Sequence, residues 1–160
     1  MKNEKVVLIG TAILLAAVAI ILAAVLLPAT MSKRDMNKIL RSVPQATRIS
    51  VGDPRFDTGD VLGNRGKEIL PEGDALASVQ AKLSALADSG YRYGGDEKNT
   101  VGGLGLNVKI RSAEGEIFYL WLTESRFYYT ENGRSVYFEP KDEAAYADLY
   151  KELNALLQQN

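Results

Sequence analysis

The chain has 160 residues, 19 Lys and Arg against 20 Asp and Glu, a net charge of −1, and neither cysteine nor histidine. Without those two residue types there is no disulfide, no thiolate chemistry, no Ser-His-Asp triad and no zinc site built on histidine or cysteine. Ile49 to Asn160 carries 12 basic against 18 acidic side chains, and an acidic domain is a poor nucleic-acid ligand because phosphate neutralisation supplies most of that affinity.

Residues 1–5 form a short tail with Lys2 and Lys5 offset by Glu4, and Val6 to Leu27 is an apolar run of 22 residues without charge or proline. As a helix such a run spans about 33 Å, enough to cross the hydrocarbon core of a bilayer. The run is expected to be an uncleaved transmembrane anchor. A cleaved secretory signal is the rival, but signal cores are shorter, roughly 7–15 residues. The exits Leu27-Pro28-Ala29 and Thr30-Met31-Ser32 also fit a small-residue cleavage rule only loosely. A lipoprotein is excluded because no cysteine follows.

Residues 28–47 read as a basic juxtamembrane neck. Lys33, Arg34, Lys38 and Arg41 are placed to touch lipid headgroups, each contributing about 1 kcal/mol on an anionic surface. A literal positive-inside count puts the C-terminal side in the cytoplasm. A short basic tail before one long apolar run is instead the layout of an N-in signal anchor, and the domain is expected outside the cell membrane. Met36, Ile39, Leu40 and Val43 recur at helical spacing up to Pro44. They form either an amphipathic continuation or a linker.

From residue 48 to 160 the expectation is an α+β domain: an antiparallel sheet of about five strands with two helices packed on one face. Arg48 to Val51 alternates as a strand, residues 52–66 are dense in turn residues, and Lys67 to Leu70 is a second short strand. Leu76, Val79, Leu83 and Leu86 mark a helix that stops at Ser89-Gly90. Residues 94–105 read as a glycine-rich loop before the strand Leu104–Arg111. Ile117–Thr123, Arg126–Thr130 and Ser135–Glu139 follow, the last two joined by the hairpin signal Asn132-Gly133. Tyr146, Leu149, Tyr150, Leu153, Leu156 and Leu157 stripe a closing helix.

Two-residue turns at Glu124-Ser125 and Asn132-Gly133 set a register. They put Phe118, Leu120, Leu122, Phe127, Tyr129, Val136 and Phe138 under the helices, and Tyr119, Trp121, Tyr128 and Tyr137, beside Lys109 and Arg111, on the opposite face. That second face has two readings. It is a contact platform for a protein, peptide or envelope polymer, or it is cross-strand aromatic pairing on a half-covered sheet. Asp53, Asp57 and Asp60 are the only oxygen-ligand candidates for a metal, at a spacing that matches no calcium loop. Gly63–Lys67 lacks the first glycine and final hydroxyl of a phosphate loop, and Gly102–Gly105 precedes a strand where a dinucleotide loop follows one. No catalytic motif and no cofactor are expected, and a metal-dependent hydrolase is the least favoured reading.

The order of elements resembles the small membrane-tethered extracytoplasmic domains of uncharacterised function found in Gram-positive bacteria. It does so through Ile49-Ser50-Val51 after a neck, Val108-Lys109-Ile110, the Gly115-Glu116-Ile117 turn and the closing helix, over Thr47 to Gln159. The resemblance implies a binding or accessory role and carries no catalytic residue across. An alternative is an accessory subunit of a membrane complex, held through small residues of the anchor such as Gly10, Ala16 and Ala17.

Overall fold

A computed structural model describes residues 2–53, 67–97, 105–131 and 134–158. The chain divides into two units, Met1–Arg34 and Asp35–Asn160.

The first unit is helical. Helix α1 (Lys2–Ser42) begins in it and holds the long apolar run, with Pro28 inside the helix. One segment of this helix is long and apolar enough to cross a membrane, and none of its most apolar window is buried within the chain. Ile13, Leu14, Leu15, Ile20 and Ile21 are all more than half exposed, which a soluble protein seldom tolerates in one contiguous patch.

The second unit is α+β. After α1 and a single 3-10 turn (Val43–Gln45) come β1 (Arg48–Gly52), β2 (Glu68–Ile69), α2 (Gly73–Ser89), β3 (Tyr91–Glu97), β4 (Leu106–Arg111), β5 (Ile117–Leu122), β6 (Phe127–Glu131), β7 (Arg134–Pro140) and α3 (Glu143–Gln158). The strands make one antiparallel sheet in the order β2-β1-β4-β5-β6-β7-β3. The sheet thus has seven strands where about five were expected.

The strand with no counterpart among the six segments read as strands is β3, at a place read as a helix end and a glycine-rich loop. Its Gly94-Gly95 pair is a β-bulge: Tyr93 faces Phe138 and Gly95 faces Tyr137, so the strand carries one residue more than its partner. Gly95 sits at φ +142, and the Tyr137 ring lies over Gly94 so closely that a Cβ there would be 2.0 Å from the ring. Gly94→Ala is expected to lower stability by about 1–3 kcal/mol through this overpacking. Thermal melting checks it, and an unchanged melting temperature would show that Tyr137 swings away freely.

Turn chemistry sets the remaining register. Leu122 pairs with Phe127 and Leu120 with Tyr129 across Glu124-Ser125, while Phe127 pairs with Phe138 and Tyr129 with Val136 across β6 and β7. One face therefore gathers Val108, Ile110, Leu120, Leu122, Phe127, Val136 and Phe138 into the core, with Phe118 and Tyr129 packed against it. Tyr91, Phe127 and Phe138 form a ring cluster with centroids 5.2–5.6 Å apart.

Two helices alone do not cover this face. Val79, Leu83 and Leu86 of α2 and Tyr146, Leu149, Leu153 and Leu157 of α3 are joined by Met36, Ile39, Leu40 and Val43, all fully or almost fully buried in the same cluster. The second unit begins at Asp35, so most of the stretch read as a neck belongs to that unit and contributes five residues to its core, Ala46 being the fifth. Its helical spacing reflects burial in the shared core. Lys82 Nζ on α2 and Glu152 Oε2 on α3 lie 2.6 Å apart and tie the two helices. Burial alone would raise the Glu152 pKa, but hydrogen bonds from Lys82 and Ser78 outweigh it and hold the carboxyl below its ordinary value.

Candidate functional site: the outer sheet face

With the helices on one face, the other face of the sheet carries every second residue of each strand. Trp121 is opposite Tyr128 and Tyr128 opposite Tyr137, so three rings cross β5, β6 and β7 in a line. Their centroids are 5.5 and 6.0 Å apart and the rings are tilted, not stacked flat. Lys109 Nζ lies 5.2 Å from the Tyr119 ring, and the Arg126 guanidinium 4.8 Å from the Tyr137 ring. These cation–ring contacts hold the long basic side chains along the sheet.

The four rings differ in what they can offer a partner. Tyr119 is 44% exposed, whereas Tyr128 is 8% exposed. Trp121 lies against the backbone of Gly105, where a Cβ would be 2.0 Å from the indole nitrogen and 2.8 Å from the Leu122 carbonyl. Among the described residues its buried Nε1 has no hydrogen-bond partner. Tyr128 and most of Trp121 therefore serve cross-strand packing, and Tyr119 is the ring presented for contact.

The basic residues named with these rings sit at one end of the stripe. Lys109 pairs with Tyr119 and Arg111 with Ile117 across β4 and β5. On the other side of β4, Ser50 is opposite Lys109 and Arg48 opposite Arg111. Arg48, Ser50, Glu68, Lys109, Arg111 and Ile117 line a depression of about 170 Å³. Sequence reasoning placed Arg48 and Ser50 in the first strand but assigned neither to a site. The signal that would have found both is the alternation of Arg48, Ser50 and of Lys109, Arg111, which puts all four on one face once β1 and β4 pair.

A second, larger cleft of about 460 Å³ is lined by β3, the β5–β6 turn, β7 and α3, and Arg92, Arg126, Glu124, Glu139, Glu143 and Tyr146 are among its walls. Its two arginines share one acid: Glu139 is 3.5 Å from Arg92 and 3.9 Å from Arg126. Nothing in the sequence singles these residues out, because the cleft draws them from four elements.

The other candidates have local duties. The Asp53 carboxylate accepts from the Lys67 amide at 2.9 Å, and the Asp53 amide donates to the Lys67 carbonyl at 3.0 Å, so Asp53 closes the base of the connection between β1 and β2. Asp57 and Asp60 lie outside the described residues. Among the described residues no group of three or more acidic side chains is placed to hold a metal ion. Of the neck cations, Lys33 and Arg34 belong to the first unit and Lys38 and Arg41 to the second. Lys38 Nζ is 3.1 Å from the Glu116 carboxylate and 5.9 Å from the Phe118 ring centroid. Burial pushes the Tyr91 hydroxyl up to about 12, and the positive charge of Arg41 partly offsets that rise.

No protein-family model, curated protein or solved structure matches this chain.

Proposed function

We propose that this is a single-pass membrane protein with its N-terminus inside, whose extracytoplasmic α+β domain binds a protein, peptide or envelope polymer on its outer sheet face. It is not an enzyme. The observation that carries the reading is the apolar stretch of α1, which finds no burial within the chain and needs lipid around it. The outer face supports the binding role because an exposed tyrosine beside cations supplies rigid contact area with a polar handle.

Alkaline carbonate extraction and external protease on intact cells test the membrane part. The full-length chain is expected to stay in the membrane pellet and its domain to be cut from outside. A soluble product starting near Thr30, or a domain protected until the cells are lysed, overturns the corresponding half of the proposal. For the binding role, Tyr119→Ala is the informative variant, since that ring is exposed and its loss leaves the core intact. Full-length Tyr119→Ala is expected to melt like the wild type and to lose at least tenfold in partner affinity.

A further inference from the structure

We propose that the cleft between β3, the β5–β6 turn, β7 and the start of α3 binds a ligand that carries a carboxylate and an ammonium group together, an α-amino acid or the end of a short peptide. This site is separate from the Tyr119 contact. At about 460 Å³ the cleft falls within the usual range of small-ligand pockets, roughly 300–1,000 Å³. Its charged walls are the guanidiniums of Arg92 and Arg126 and the carboxylates of Glu124, Glu139 and Glu143.

Charges of both signs are left incompletely matched there. Glu139 serves both arginines, at 3.5 Å from Arg92 and 3.9 Å from Arg126, beyond the roughly 2.7–2.9 Å of a formed charge-assisted hydrogen bond. Elsewhere the fold closes such pairs more tightly, at 2.6 Å for Lys82 with Glu152 and 3.1 Å for Lys38 with Glu116. Among the described residues no cation comes within ion-pair distance of Glu124 or Glu143. The helix dipole gives Glu143 a local reason to sit in the first turn of α3. It gives none for Glu124, nor for two arginines converging on one acid. Each guanidinium fork keeps N–H donors for a ligand carboxylate, and the two glutamates can accept from an ammonium. A lone anion would meet a cleft whose two arginines and three glutamates sum to −1, and a lone cation would leave the guanidiniums unused. A dipolar ligand answers both, and the residual −1 favours one with a further positive charge. The walls are also held in place: the Tyr146 hydroxyl donates to the Thr123 carbonyl at 2.8 Å and lies against the Arg126 carbonyl. That ties the turn carrying Glu124 and Arg126 to the helix carrying Glu143, and groups fixed in advance bind at a smaller ordering cost.

The test uses the full-length chain in nanodiscs of phosphatidylcholine, titrated calorimetrically at constant ionic strength with free lysine, alanine and glutamate, and with acetate and methylamine as half-ligands. Saturable binding of lysine is expected, tighter than that of alanine, with glutamate weakest of the three and both half-ligands weaker than lysine. Arg92→Gln and Glu124→Gln are each expected to weaken lysine binding about tenfold. Both positions are exposed, so neither substitution touches the core, and the near-ultraviolet spectrum of the single tryptophan, Trp121, confirms that each variant is folded. The dipeptides lysyl-alanine and alanyl-lysine separate the two sources of the ligand. Tighter binding of either dipeptide than of lysine assigns the cleft to a peptide end, and weaker binding of both assigns it to a free amino acid. No saturable lysine binding, methylamine or acetate binding as tightly as lysine, or lysine affinity unchanged in both variants overturns the proposal.

Discussion

A fragment beginning at Arg48 is expected not to fold, whereas one beginning at Asp35 is expected to fold as a cooperative unit. The reason lies in what the intervening residues bury. Met36, Ile39, Leu40 and Val43 are all within 1% of complete burial. Each such side chain contributes about 1.5–3 kcal/mol when removed from water, so the four together supply roughly 6–12 kcal/mol as an upper estimate. Whole domains are stable by only about 5–15 kcal/mol. Their loss would also expose the core surfaces they cover, including the flank of α2 where the Gln80 side chain donates to the Ala46 carbonyl at 3.3 Å. Circular dichroism and urea unfolding of the two fragments check this. A cooperative unfolding transition in the fragment starting at Arg48 would mean that residues 35–47 are only docked on a domain complete without them. The point substitution Leu40→Asp in the longer fragment should reproduce most of the defect, because it buries a charge among apolar side chains.

The second large effect is expected at Tyr146. Its ring is 1% exposed and packs 5.9 Å from Phe127, and its hydroxyl donates to the Thr123 carbonyl at 2.8 Å and lies against the Arg126 carbonyl. The Arg126 carbonyl has a second donor in the Thr123 amide at 2.8 Å, so the Thr123 carbonyl is the group that depends on Tyr146. Tyr146→Phe keeps the ring and strands that carbonyl, at a cost of about 1–3 kcal/mol. Tyr146→Ala adds a cavity, and the loss should reach about 3–5 kcal/mol. Equal stability of wild type and Tyr146→Phe in urea would show that water replaces the hydroxyl without penalty.

The same residue predicts an alkaline effect. Burial pushes the Tyr146 hydroxyl far above its ordinary value, while in the unfolded chain a tyrosine ionises near 10. A folded-state value raised above the unfolded one gives stability that is complete below about pH 10 and is lost as the pH climbs beyond it. Tyr146→Phe should therefore flatten the alkaline limb of the stability profile, leaving the smaller part due to Tyr91, whose hydroxyl is raised to about 12.

Much of the candidate site is legible in the sequence. Periodicity of two places Tyr119, Trp121, Tyr128, Tyr137, Lys109 and Arg111 on one surface as soon as the turn lengths at Glu124-Ser125 and Asn132-Gly133 are taken as two. The opposition of Trp121 to Tyr128 and of Tyr128 to Tyr137 follows from the same two turns. Sequence could not rank the rings, because exposure depends on what crosses over them. Gly105 lies against Trp121 and Gly94 under Tyr137, and both contacts join positions remote in sequence.

The strand after α2 was hidden for a related reason. Two adjacent glycines signal a turn when only local propensity is weighed, yet here they form a bulge that β7 stabilises by pairing on both sides of it. The β1–β4 pairing was equally invisible: residues 48 and 111 become neighbours only because the hairpins of β4 to β7 leave one edge of β4 open for β1.

By itself, the amino-acid sequence determined the apolar segment, the α+β class, the two amphipathic helices and the strand register near the turns. All of these rest on interactions within a few residues, or on a hydrophobic pattern with a fixed period. Only the tertiary structure decided that Met36, Ile39, Leu40 and Val43 belong to the core, that β3 is a strand, and that Arg48 faces Arg111. Each of those is a contact between distant segments, whose energy comes from the surface it buries and leaves no periodic mark on the chain.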